Sequence, residues 1–135
     1  MRRIVTRLYL FIWLLLLRTC LLSANAQTNS LIQDPNLETA VRLTLQKPTG
    51  PLTEADLLSL TDLAAPNYQI TSLGGLELAR HLQVLQLAAN PITNIGPLTG
   101  LSALRQLDLS FNPVGDPTPL LGLTNLEFLL LPLRN

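Results

Sequence analysis

The sequence predicts an α/β solenoid: a right-handed curved coil with parallel strands on its concave face, a helical cap at its N-terminal end and no cap at its C-terminal end. Three observations predict it. Leu82, Leu85, Leu87 and Asn90 recur as Leu104, Leu107, Leu109 and Asn112, a period of 22 residues, and Leu126, Leu129 and Leu131 stand one further period on. Between coils Pro91 pairs with Pro113, Pro97 with Pro119, Leu98 with Leu120, Gly100 with Gly122 and Leu101 with Leu123. Residues 31–59 break the period and carry helix start and stop signals instead.

The first element reads as an export signal, residues 1–26. Arg2, Arg3 and Arg7 precede an unbroken apolar run from Leu8 to Leu17, and Ala24-Asn25-Ala26 offers small residues for cleavage before Gln27. The run is ten residues long and Arg18 ends it, whereas a bilayer span needs about 20. Membrane contact is therefore expected only through this segment before cleavage. Cys20 follows Arg18 and Thr19 rather than the small residues of a lipidation signal, so lipid attachment is the weaker alternative. The expected address is secreted or cell envelope.

Removing residues 1–26 leaves 109 residues with five basic side chains against nine acidic ones, a net charge of −4. That balance gives no support to nucleic acid as a partner, and none is expected, because phosphate binding needs a clustered basic face. Cys20 is the one cysteine of the chain, so no disulfide is expected in the exported part.

Residues 27–59 form the linker and cap. Asp34 is placed to cap a helix opened by Pro35, with Leu37, Ala40, Val41, Thr44 and Leu45 on one face. Pro48 and the breaker cluster Thr49-Gly50-Pro51 end it. Thr53 and Asp56 have capping-box spacing ahead of a second short helix. The apolar faces of these helices would cover the end of the leucine column, which a solenoid needs for solubility.

Residues 60–135 carry the coils: a degenerate first one, two full repeats and a truncated last one. In the first, Leu60, Leu63, Ile70, Leu73 and Leu76 fill the apolar slots and Tyr68 replaces the asparagine. The spacing L-x-x-L-x-L turns alternate residues of a short strand inward, where stacked coils share one apolar column. Asn90 and Asn112 are structural asparagines in this reading: they sit where the strand turns and can satisfy backbone groups of adjacent coils. Pro97 and Pro119 suit the first position of a helical turn on the outer side.

These residues together carry a resemblance. Asp34-Pro35-Asn36-Leu37, then residues 52–57 and 70–77, followed by the 22-residue coils, resemble the internalin-type bacterial leucine-rich-repeat family over residues 32–133. The resemblance implies a solenoid whose concave face binds protein partners, often at a bacterial surface. The chain departs from the pattern at Pro117, where the previous coil has Ile95, and at Arg134, where an asparagine is due.

The period also fixes the candidate ligand-binding residues, the strand positions facing outward. They are Asp62, Val84, Gln86, Gln106, Asp108, Ser110, Phe128 and Leu130, with Ala64, Pro66, Ala88 and Pro132 completing the rows. Four strands at about 4.8 Å spacing, each exposing about 15–20 Å, offer about 300–400 Å², half of the roughly 800 Å² per partner of a stable interface.

Catalysis has weaker support. His81 is the only histidine and sits at a coil boundary, Gly74-Gly75 belongs to the repeat rather than to a phosphate loop, and Asp62 and Asp108 lie on an open face. No enzyme activity, catalytic residue, metal or cofactor is expected. The predicted function is an exported module binding an unidentified protein or peptide. The alternatives are a partial or non-functional fragment of a longer secreted repeat protein and, remotely, a hydrolase. Self-association through the uncapped last coil is a further expectation.

Overall fold

The computed structural model describes residues 30–132. The predicted export segment, with Cys20, and the departure at Arg134 lie outside the described residues.

Helix α1 spans Pro35–Thr44. Asp34 Oδ1 accepts the free N–H groups of Asn36 (2.9 Å) and Leu37 (3.1 Å), which satisfies donors that the first helical turn leaves without intrahelical partners. The helix buries Leu37, Ala40 and Val41. Thr44, expected on the same face, is exposed: its hydroxyl donates to the Ala40 carbonyl at 2.9 Å, so the side chain is satisfied without burial. Helix α2, Glu54–Leu58, has both halves of the capping box, Asp56 N–H on Thr53 Oγ1 and Thr53 N–H on Asp56 Oδ2. Lys47 Nζ, three residues past the end of α1, approaches the same carboxylate oxygen at 2.6 Å and ties the connecting segment to α2.

Four three-residue strands follow, β1 (Asp62–Ala64), β2 (Val84–Gln86), β3 (Gln106–Asp108) and β4 (Phe128–Leu130). They pair in parallel in chain order, with Leu63, Leu85, Leu107 and Leu129 in register. The predicted solenoid of parallel strands is therefore present, with one coil per 22 residues. Short 3₁₀ turns, Leu76–Leu78, Gly96–Leu98 and Thr118–Leu120, close the outer side of successive coils. Pro97 and Pro119 occupy the second position of their turns rather than the first, because Gly96 and Thr118 are drawn in by the side chains of Asn94 and Asp116, which accept their N–H groups at 2.8 and 2.9 Å.

The core is one column. Leu60, Leu82 and Leu104 stack on one side of it, Leu63, Leu85 and Leu107 beneath the strands, and Ile70, Ile92 and Val114 after the turn; all are buried. Leu37, Ala40, Val41 and Leu57 join the same cluster from the two helices, so the helices do cover the first coil. The column thins at coil three. Pro117 is exposed, and a notch of about 150 Å³ lined by Val114, Pro117, Leu131 and Pro132 opens where Ile95 fills the core one coil earlier.

Candidate functional site

Parallel pairing in equal register means that outward side chains align across strands. The first row is Asp62, Val84, Gln106 and Phe128 and the second is Ala64, Gln86, Asp108 and Leu130. Beyond the strands Asn67 N–H donates to Ala88 O and Ala89 N–H to Ser110 O, both at 2.9 Å, so the coils stay aligned through a third row of Pro66, Ala88, Ser110 and Pro132. All eight candidate residues thus lie on one surface. Asp62, Gln86 and Gln106 are exposed and Val84, Asp108 and Ser110 half-buried, while Phe128 keeps 54% and Leu130 42% of its area in solvent.

The charges of this surface are negative. Asp108 Oδ1 accepts both the N–H (2.9 Å) and the hydroxyl (2.6 Å) of Ser110, which holds the carboxylate in one orientation. Asp62 Oδ2 accepts the Thr61 hydroxyl at 2.7 Å. The ion pairs among the described residues, Glu38–Arg42, Asp56–Lys47 and Glu127–Arg105, involve neither.

Beneath the rim the two asparagines bind coil to coil. Asn90 Nδ2 donates to Ala65 O of the coil before (2.9 Å) and to Leu87 O of its own (2.8 Å), while its Oδ1 accepts the N–H groups of Tyr68 and Ile70, both at 3.0 Å. Asn112 repeats the pattern on Leu87 O, Leu109 O and Ile92 N–H. Both are buried. Their amides are consumed by the backbone, which leaves them nothing to offer a ligand.

Two residues carry more than their sequence positions indicate. Asp34, besides capping α1, accepts through Oδ2 the Thr71 N–H (2.8 Å), the Thr71 hydroxyl (2.8 Å) and the Ser72 N–H (3.1 Å), joining cap to first coil. Burial pushes its carboxyl up, but the hydrogen bonds from Thr71, Leu37 and Ser72 outweigh it and hold the group below its ordinary value. Phe111 is the other: it has φ 57° and is 83% exposed, in a slot that the earlier coils fill with Asn67 (φ 59°) and Ala89 (φ 56°). The signal available in the sequence was its contrast with those two small residues.

His81 is exposed, with Nδ1 2.9 Å from Leu58 O. Among the described residues no group of His, Cys, Asp and Glu is arranged to hold a metal ion, and no helix is long and apolar enough to cross a membrane.

Comparison with known proteins places this geometry. The family model for leucine-rich repeats (two copies) matches residues 80–122. The fold is similar to that of an internalin (inlF) from Listeria monocytogenes, at 33% identity and a TM-score of 0.70, covering 73% of this chain and 29% of that one. It is likewise similar to internalin C2 (inlC2) of the same organism, at 32% identity and a TM-score of 0.69, covering 71% of this chain and 43% of that one. The functional domain of InlJ, also from Listeria monocytogenes, matches at 28% identity with a TM-score of 0.65, covering 73% and 22%. This chain thus spans less than half the length of each of these structures. No match is found among curated protein sequences. With the repeat model, the parallel register and these neighbours in agreement, the chain is an internalin-like bacterial leucine-rich-repeat protein.

Proposed function

We propose that the protein is an exported binding module that holds a protein or peptide partner against the outward side of β1–β4. The observation that carries this reading is the uncovered sheet face itself. Its inner side is buried in the core at Leu63, Leu85 and Leu107, and on β4, whose inward Leu129 is itself 39% exposed, its outer side presents two large apolar residues, Phe128 and Leu130, to solvent. Large apolar area left in water by a rigid scaffold marks an interface. The likeness to bacterial internalins supports a binding role, and the reading of residues 1–26 as an export signal supports a secreted or envelope address.

The face offers few means for catalysis. Asp62 and Asp108 stand on β1 and β3, two strand spacings or about 10 Å apart, on an open surface whose other rows carry amides, a hydroxyl and apolar groups.

Partner capture by the folded protein tests the reading. Phe128→Ala and Gln106→Ala, both at exposed positions, are expected to weaken capture several-fold while shifting the unfolding free energy by less than about 1 kcal/mol. Capture that is unchanged in both variants would rule out this face.

A further inference from the structure

We propose that the segment held on this face is extended and cationic, with an arginine at Asp108 and a large apolar side chain against Phe128 and Leu130. The proposal rests on the concave-face reading above and adds the chemistry of the partner.

Size comes first. A strip of about 300–400 Å² is half of what a folded partner of standard interface size covers. It suits a single strand-like segment: three strand spacings of about 4.8 Å correspond to four or five extended residues at about 3.3 Å each.

Charge selects the segment's sign. Asp62 and Asp108 are the only charged residues in the three outward rows, and neither has a basic partner among the described residues. An acidic side chain brought onto this strip would meet like charge, and a neutral one would leave two carboxylates losing water without compensation. The wider field has the same sign, with Arg42, Lys47, Arg80 and Arg105 against nine acids in residues 30–132. Such a field steers cations toward the face.

The juxtaposition at β3 and β4 selects arginine. Asp108 is half-buried, Oδ1 is held by Ser110, and Oδ2 has no hydrogen-bond partner among the described residues. The register sets Leu130 directly beside Asp108, and Phe128 beside Gln106 on the adjoining position. A preoriented carboxylate bordered by an aliphatic side chain and an aromatic ring matches a guanidinium, which is planar, weakly hydrated and able to bond an oxygen while lying against a ring. The same apolar pair then receives the segment's next outward side chain.

The test titrates three acetylated, amidated hexapeptides into the isotope-labelled protein and follows backbone amide shifts. One has arginine at its first and fifth positions and leucine at its third, with serine at the others, so that arginine and leucine share one face of the extended chain; in the others glutamine or glutamate replaces arginine. The arginine peptide is expected to shift the amides of Gln106, Asp108, Phe128 and Leu130, and to do so more weakly as salt is raised. Asp108→Asn keeps an oxygen for Ser110 and is expected to weaken this binding about threefold or more, whereas Asp116→Asn, whose carboxylate is engaged by Thr118, leaves it unchanged. Equal binding of the glutamine peptide on the same amides would overturn the cationic proposal while leaving the concave-face reading intact. Salt-insensitive binding of the arginine peptide to the unmodified protein would overturn it too, without relying on any variant. Shifts confined to other surfaces, or none with any peptide, would also overturn it, and capture by Phe128→Ala would then decide whether the face reading falls with it.

Discussion

Asp34 joins two levels of the structure through five hydrogen bonds accepted by one buried carboxylate. Only the first two were legible in the sequence, because Asp-Pro at a helix start is a local pattern. Thr71 and Ser72 lie 37 and 38 positions away, and nothing in their spacing announces a partner. Replacing Asp34 by Ala removes a cap and leaves Thr71 and Ser72 N–H groups with no acceptor, an expected loss of about 2–4 kcal/mol in urea unfolding. The pH dependence follows from the lowered carboxyl value. The group is ionised and bonded above the unfolded value of about 3.9, and its contribution is lost as pH falls through the lower folded value. The wild-type protein should therefore lose stability in acid below about pH 4 more steeply than Asp34→Asn, compared at matched salt.

Phe111 runs the other way. A bulky side chain in left-handed backbone conformation is disfavoured, and 83% exposure returns little burial energy. Phe111→Asn, the residue the first coil uses at Asn67, should raise stability by about 0.5–1 kcal/mol. Thermal unfolding at matched pH checks this.

At the scale of elements, each coil is closed by its neighbour. The leucine period was sufficient to fix strand register, inward and outward rows and the asparagine positions, since a solenoid repeats local geometry at a fixed sequence interval. It was less informative where side chains reset the backbone. Asn94 and Asp116 start the outer turns one residue before Pro97 and Pro119. Asn112 tests the dependence between coils. Asn112→Ala strips bonds from Leu87 O, Leu109 O and Ile92 N–H, all away from water, and should cost about 2–3 kcal/mol. Circular dichroism of the unfolding transition would read the loss, and an unchanged midpoint would mean that these groups find other partners.

For the whole molecule, one column of apolar side chains runs from α1 and α2 through the coils, and the face opposite is its by-product. Leucines held inward at Leu63, Leu85 and Leu107 force their neighbours outward. The candidate site was legible as a set of positions for that reason. Its electrostatic character was less so: the orientation of Asp108 by Ser110 depends on a bond between near neighbours that a row diagram does not contain. Amide hydrogen exchange tests the column most directly. Ala65, Leu87 and Leu109 N–H donate across the coils to Gln86, Asp108 and Leu130 carbonyls, each at 2.8 Å. The account predicts that these three amides exchange at least about a thousandfold more slowly than in an unstructured peptide. Exchange within about tenfold of the unstructured rate at all three would contradict it.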